Sequence, residues 1–308
     1  MILNIVKSAY EHFFFVYGPF QNAMVRQFVE HYALKKWRII NVSGFDISEG
    51  GAKAEFADIY SDIVSTLGAM VYIPHINSIY SNMLYSTRSI VLANIPDGLP
   101  NILHIRPNLR VLLKQFLKKL YCAIVHRKKF TIFFDNLVGY NFNRYNFAFS
   151  PYPDLIWDKN CPVVPIPLPW QTRFDETKTP RASKIATIIG QPLENVVSRR
   201  EKDKLVDRLC SYALNLEGVE KVYYILHPRE TLKSVRLPEG VKVKRLSSPI
   251  ERVLARKYVD YCLGVFSFSL VNIKLLSKAT VVCYHLSDRF AYSSQLREIF
   301  NRIGMREI

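Results

Sequence analysis

One pattern, used again and again along the chain, most constrains what it can fold into. A wholly apolar or aromatic run of strand length ends in Gly, Pro or small polar residues, and a segment of helical periodicity follows. His12–Tyr17 (HFFFVY) stops at Gly18-Pro19, and Gln21–Leu34 then carries Met24, Val25, Phe28, Val29 and Tyr32 at a helical period. A short run with no polar alternation is the mark of a strand buried on both faces. The same alternation predicts strands at Trp37–Val42, Ala69–Ile73 and Ser89–Asn94, with helices at Phe56–Leu67 and Ile79–Tyr85. Strand, short loop and helix in repetition imply parallel sheets with right-handed crossovers.

Regularity fades over Phe130–Pro169, where Asn, Tyr and Pro accumulate and Cys161–Trp170 alone holds four prolines. This stretch reads as a long loop leading into a joint. Strands return at Ile185–Ile189, Lys221–Leu226, Val241–Leu246, Tyr261–Val265 and Thr280–Tyr284, with a helix over Glu201–Leu216 and a helical tail from Arg289. A length of 308 residues suits two such domains. The expected fold class is α/β, with two Rossmann-like lobes and a cleft between them. Residues 1–160 are expected to form the first lobe with its long connecting loop, and residues 161–308 the second, its C-terminal helix free to pack back on the first.

Lys and Arg number 42 against 26 Asp and Glu, a net charge of +16 that implies an anionic partner. Zinc-finger spacing, an RNP-like aromatic box and a basic zipper are all absent, so no nucleic-acid partner is expected. The apolar runs are strand-sized, the N-terminus lacks a signal-peptide layout, and the five cysteines show no CxxC. An intracellular protein with buried thiols is expected. Over Arg106–Lys129, Leu109, Leu112, Leu113, Phe116, Leu117 and Leu120 make an apolar helical face, with Arg110, Lys114 and Lys118 recurring every four residues beside it. With Lys119 and Arg127–Lys129 these cations are expected to form a surface that meets a membrane or an anionic acceptor.

In open α/β sheets ligands bind at the carboxyl ends of strands, so the residues just after strands carry the chemistry. Those ends are Pro96-Asp97-Gly98, Gly190–Glu194, His227–Glu230, Ser247–Glu251 and Ser267–Ser269. An imidazole at His227, fixed by Pro228, could neutralise or protonate a leaving phosphate. Ser267 and Ser269 open a helix, where hydroxyls and backbone N–H groups hold an anion or simply cap the helix. Glu251 suits the first helical turn and could equally grip ribose hydroxyls. Asp97 is either a plain turn residue or a carboxylate offered to the cleft. There is no GxGxxG after the first strand, no GxxxxGK[ST] and no DxD, which excludes dinucleotide oxidoreductases, P-loop NTPases and a metal–diphosphate clamp.

These residues, in this order, resemble the bacterial lipooligosaccharide-type sialyltransferases. His12–Gln21 looks like that family's first strand and aromatic turn, and Pro96-Asp97-Gly98 looks like its acidic Asp-Asp-Gly element with Pro96 in place of the first carboxylate. Gly190-Gln191-Pro192-Leu193-Glu194 is similar to its Gly-x-Pro turn, His227-Pro228 to its His-Pro motif, Ser248-Pro249-Ile250-Glu251 to its Ser-Pro…Glu segment and Phe266-Ser267 to its phosphate-binding serine. The resemblance implies an inverting, metal-independent GT-B enzyme without cofactor that moves sialic acid from CMP-sialic acid to a terminal sugar, such as a galactoside of lipooligosaccharide or capsule. It implies catalytic roles for Asp97 or Glu194 as base and His227 at the leaving phosphate. It implies nucleotide contacts from Gly190, His227, Pro228, Ser248, Glu251, Ser267 and Ser269, and no metal ligands. A cytoplasmic location, peripheral on the inner membrane, and a homodimer are consistent with such relatives. A GT-B enzyme with another donor, a polysialyltransferase and a non-catalytic polyanion-binding protein remain as alternatives.

Overall fold

The computed structural model describes residue 6 and residues 11–42, 50–96, 98–134, 145–156, 160–171, 183–255, 259–277, 281–290 and 292–308. The chain forms two compact units, Met1–Leu168 and Pro169–Ile308.

In the first unit the elements run β1 (Glu11–Val16), α1 (Pro19–Tyr32), β2 (Trp37–Asn41), α2 (Gly50–Ser65), β3 (Ala69–Ile73), α3 (Ile79–Tyr85), β4 (Val91–Asn94), α4 (Leu99–Ile102), α5 (Leu109–Tyr121), a widened helical turn over Cys122–His126, β5 (Phe147–Ser150) and β6 (Val163–Pro165). The sheet order is β2-β1-β3-β4-β5-β6, and every pairing is parallel. Phe14 in β1 lies level with Ile39 and Tyr72, and its ring stacks on Tyr72 at 4.2 Å between centroids. The Phe28 ring from α1 meets Tyr72 edge-on at 5.2 Å and Phe149 of β5 at 4.6 Å. Rings from three strands and one helix thus seal the core, each burying large apolar area.

The reading of 130–169 as irregular needs correction. β5 (FAFS) and β6 (VVP) extend the sheet there, and because β6 pairs with β5 the first unit runs on to Leu168, beyond the expected joint at 160/161.

The second unit contains β7 (Lys184–Ile189), a short 3₁₀ turn over Leu193–Asn195, α6 (Arg199–Leu214), β8 (Val219–Leu226), β9 (Val241–Arg245), α7 (Ile250–Leu254), β10 (Tyr261–Gly264), α8 (Phe268–Leu276), β11 (Val281–Tyr284), α9 (Ser293–Arg302) and β12 (Arg306–Glu307). Its sheet is also parallel throughout, in the order β12-β11-β10-β7-β8-β9. Ser198 caps α6 by accepting from the Glu201 N–H at 3.3 Å, which satisfies one donor of the first turn. The helical tail arrives as α9, whose Phe300 packs on Tyr284 at 4.7 Å, and β12 adds a last strand to this unit's own sheet. β9 forms the other edge and carries Lys242, Lys244 and Arg245, charges that discourage further strand pairing. Among the described residues each unit holds six parallel strands with helices in the crossovers, the expected α/β class with two Rossmann-like units.

Candidate functional site

The second sheet reverses direction of growth at β7, since β8 lies on one side and β10 on the other. At such a switch point the loops after neighbouring strands diverge and leave room for a ligand at the carboxyl ends. All strands being parallel, the turns after β7, β8, β9 and β10 stand on one edge. Most of the sequence-predicted residues are on these turns: Gly190 and Glu194 after β7, His227 and Pro228 after β8, Ser248 after β9, Ser267 and Ser269 after β10. The side chain of Gln191 ties two of the turns together. Its Nε2 donates to the Phe266 carbonyl at 2.9 Å, and its Oε1 accepts from the Phe266 N–H at 3.0 Å.

Gly190 has to be glycine. A Cβ there would stand 2.3 Å from Glu230 Oε2 and 2.7 Å from the Ile225 carbonyl, closer than any side chain tolerates. Its N–H donates to Ile225 O at 2.9 Å, so the chain leaves β7 flush against β8.

The turn after β8 is organised from beneath by a buried charge cluster. Lys202 of α6 is 1% exposed, with Nζ 2.8 Å from Glu230 Oε1 and 2.6 Å from Glu194 Oε1. Burial pulls the Lys202 ammonium down, but its two carboxylate partners outweigh this and hold it above the ordinary lysine value. Glu230 Oε2 accepts from the His227 N–H at 2.9 Å, and Arg245 donates to the carbonyls of Glu230 and Pro228. Charge-assisted bonds of this kind are the strong ones, so the His227–Glu230 turn is held at both ends.

His227 itself is half-buried. Its Nδ1 accepts from the Arg229 N–H at 3.2 Å, an assignment that leaves the ring proton on Nε2. Burial, and then the Arg229 charge, lower its pKa below 6.5, so near neutrality the ring is a neutral Nε2–H donor. Glu194 is largely exposed, and its hydrogen bond to Lys202 keeps its pKa below the usual carboxylate value. A carboxylate held this way is a weakened base.

Ser267 caps α8: its Oγ accepts from the Ser269 N–H at 3.2 Å, while Ser269 is half-exposed. Glu251 sits in the first turn of α7, buried, with Oε1 accepting from Asn272 Nδ2 of α8 at 2.8 Å. α7 and α8 are therefore linked behind the Ser267 cap. Asp97 lies outside the described residues. Next to it, Gly98 has φ +137°, a region that favours glycine, and its N–H donates to Asn101 Oδ1 at 3.1 Å. Asn101 and Asn94 both donate to the Pro74 carbonyl, each at 3.0 Å, so this turn is fastened to the end of β3.

Sequence reasoning missed Lys202, gave no separate role to Glu230 and Gln191 within the strand ends it singled out, and missed an aromatic pair at the first sheet's switch point, between β1 and β3. There Tyr17 and His75 approach to 4.7 Å between ring centroids, and Tyr17 Oη donates to Ser78 Oγ at 2.5 Å. The signal was available for His75, which follows β3 as His227 follows β8. Among the described residues no group of three or more His, Cys, Asp or Glu is placed to hold a metal ion, and no helix is long and apolar enough to cross a membrane.

No family model matches the chain, and no curated protein matches its sequence. Solved structures do. The UDP-GlcNAc 2-epimerase from Neisseria meningitidis, bound to UDP-GlcNAc, is 10% identical, with 94% of this chain and 85% of that one covered at a TM-score of 0.51. MurG from Acinetobacter baumannii is 9% identical, with 97% and 86% covered at 0.49. At these identities the likeness concerns the fold, and it is the two-lobed α/β fold of the epimerase that this chain shares.

Proposed function

We propose that the protein is a glycosyltransferase using a nucleotide-sugar donor, and that the donor is CMP-sialic acid. The observation that carries the coarser reading is the sheet edge on which the Nε2–H of His227, after β8, and the start of α8, after β10, both stand. It offers a neutral donor and a helix N-terminus to a phosphate. The epimerase that shares the fold has a nucleotide sugar bound. The finer reading rests on the ordered resemblance to the lipooligosaccharide-type sialyltransferases.

In this reading the nucleotide lies on the second unit. Glu251 takes the ribose hydroxyls, Ser248, Ser267, Ser269 and the Gly190 backbone line the nucleotide, and Pro228 fixes the His227 ring against the phosphate. The bond between the anomeric carbon and the phosphate oxygen breaks with oxocarbenium character. His227 Nε2–H donates to the departing CMP oxygen, and stabilising charge as it develops in this way usually does more than any other effect to lower such a barrier. The acceptor hydroxyl attacks the opposite face, inverting the centre, and its proton passes to a carboxylate. Asp97 is that base, because Glu194 is engaged by Lys202. No cofactor or metal takes part. The acceptor is an anionic surface glycan, a galactoside of lipooligosaccharide or capsule, met on the inner face of the bacterial cytoplasmic membrane.

The deciding experiment measures release of CMP from CMP-sialic acid in the presence of a chelator, with and without a galactoside. CMP release stimulated by the galactoside supports the proposal. Turnover of a UDP-sugar instead moves the protein to another donor class, and products of many residues would make it a polysialyltransferase. Absence of any turnover, with salt-sensitive binding to every polyanion, would make it a non-catalytic binder.

A further inference from the structure

Helix α5 is amphipathic in the reverse of the usual sense. Leu109, Leu113, Phe116, Leu117 and Leu120 stand 82%, 61%, 51%, 60% and 58% exposed, and Ile124 in the following turn is 68% exposed. At 100° per residue these positions share one face. Opposite that face Gln115 is buried, and its carboxamide copies a strand pairing with Phe133: Nε2 donates to the Phe133 carbonyl and Oε1 accepts from the Phe133 N–H, both at 2.9 Å. Asn108 caps the helix through the Val111 N–H at 3.0 Å. The helix is thus anchored by polar bonds, and its leucines are left for something outside the unit. Contiguous exposed apolar area of this kind marks an interaction surface.

Charge decides what that something is. From Gly98 to Phe134 the chain has no Asp or Glu and eight Lys or Arg. Arg110, Lys114 and Lys119 are exposed along the borders of the apolar face, and Arg127–Lys129 are exposed just beyond it. Lys118 does not belong to this surface: its Nζ donates to the Asn77 carbonyl at 2.6 Å and tethers the helix instead. A second copy pairing through the same face would bring a matching row of cations, like against like. An anionic bilayer offers acyl chains to the leucines and phosphates to the cations at once.

We propose that α5 is an interfacial helix that lies in the surface of an anionic phospholipid bilayer, apolar face down. Leu113, Phe116, Leu117 and Leu120 enter the headgroup–acyl boundary, while Arg110, Lys114, Lys119 and Arg127–Lys129 meet lipid phosphates. This assignment stands independently of the transfer chemistry.

The test is co-sedimentation of the full chain with vesicles of phosphatidylcholine, alone or with phosphatidylglycerol, at two salt concentrations. Binding should need phosphatidylglycerol and weaken with salt, falling about fivefold for each cation reversed among Arg110, Lys114 and Lys119. Leu113→Ser with Leu117→Ser should lower vesicle affinity at least about tenfold with an unchanged melting curve, because both side chains are already in water. Phe116→Trp should show a blue-shifted emission on phosphatidylglycerol vesicles only. Wild-type protein that ignores phosphatidylglycerol vesicles would overturn the proposal, as would serine variants that bind as before. So would sedimentation velocity showing a dimer that the serine variants dissociate, together with no vesicle binding, which would assign the face to a second copy.

Discussion

Lys202 Nζ and Glu230 Oε1 lie 2.8 Å apart with both side chains withdrawn from water, and Glu230 in turn holds the backbone of His227. A fully buried ion pair adds little net stability over an apolar pair, yet removing one partner strands the other's charge. Lys202→Met should therefore cost about 3–5 kcal/mol in chemical denaturation. Lys202→Met combined with Glu230→Gln should cost less than Lys202→Met alone, since no charge is then left buried. A double variant as unstable as the sum of the two single variants would mean that the pair is not coupled.

The tautomer of His227 is directly measurable. With Nδ1 accepting from Arg229, nitrogen chemical shifts should report the proton on Nε2. A lowered pKa means that the ring gains its second proton only as pH falls below 6.5, so in free protein the titration midpoint lies under that value. Saturation with CMP should move the midpoint upward, because a nearby phosphate favours the imidazolium. His227→Ala should reduce CMP release by about 10²-fold or more. Full activity in that variant would remove the site from the second unit's strand ends.

Much of this arrangement could be read from the sequence, and the unread part has physical causes. β1, β3, β7 and β8 declared themselves because strands buried on both faces are continuous apolar runs. β5 and β6, four and three residues long, carry too few side chains to set a period, and they lie among prolines that usually mark loops. Lys202 sits in the run RREKDK, where nothing distinguishes it from its exposed neighbours; only the fold shows that its position on α6 faces Glu230. The periodicity of α5 reveals an apolar face but cannot say that Gln115 is the residue turned inward.

The buried imidazole of His12 should give the protein a pH-dependent stability. Its Nδ1 is 3.0 Å from the Tyr72 hydroxyl, and burial lowers its pKa to about 4, opposed by the Glu11 charge. Between pH 6.5 and about 4 the unfolded chain binds a proton that the native state refuses. Stability is therefore complete above 6.5 and declines as pH falls toward 4, by about 3 kcal/mol from this residue. Denaturant titrations at both ends of that window should show the loss, and His12→Asn should flatten it. An unchanged slope in the variant would assign the effect elsewhere.

Glu251 has one oxygen committed to Asn272, which leaves Oε2 for a ribose hydroxyl. Glu251→Gln should weaken CMP binding by about 1.5–3 kcal/mol, the range for a lost bond to a charged acceptor. Calorimetry with CMP and with cytosine separates the contributions: affinity for the free base should be unaffected. Equal losses for both ligands would show that the substitution disturbs the packing of α7 on α8 instead.

The choice of base can be settled by comparing two isosteric variants. Glu194 has its carboxylate 2.6 Å from Lys202 and its pKa lowered by that bond, so it is a poor proton acceptor at the moment of transfer. Asp97 precedes Gly98, whose positive φ and bond to Asn101 fix the backbone that follows, and the resemblance assigns it the acidic position. Asp97→Asn should therefore lose about 10²-fold or more in kcat with CMP affinity nearly unchanged, because deprotonating the acceptor is no part of nucleotide binding. Glu194→Gln should keep most of its kcat and show its main effect in thermal stability, through the weakened hold on Lys202. If instead Asp97→Asn turns over normally and Glu194→Gln does not, the base is Glu194, and the Lys202 bond must open when the acceptor binds.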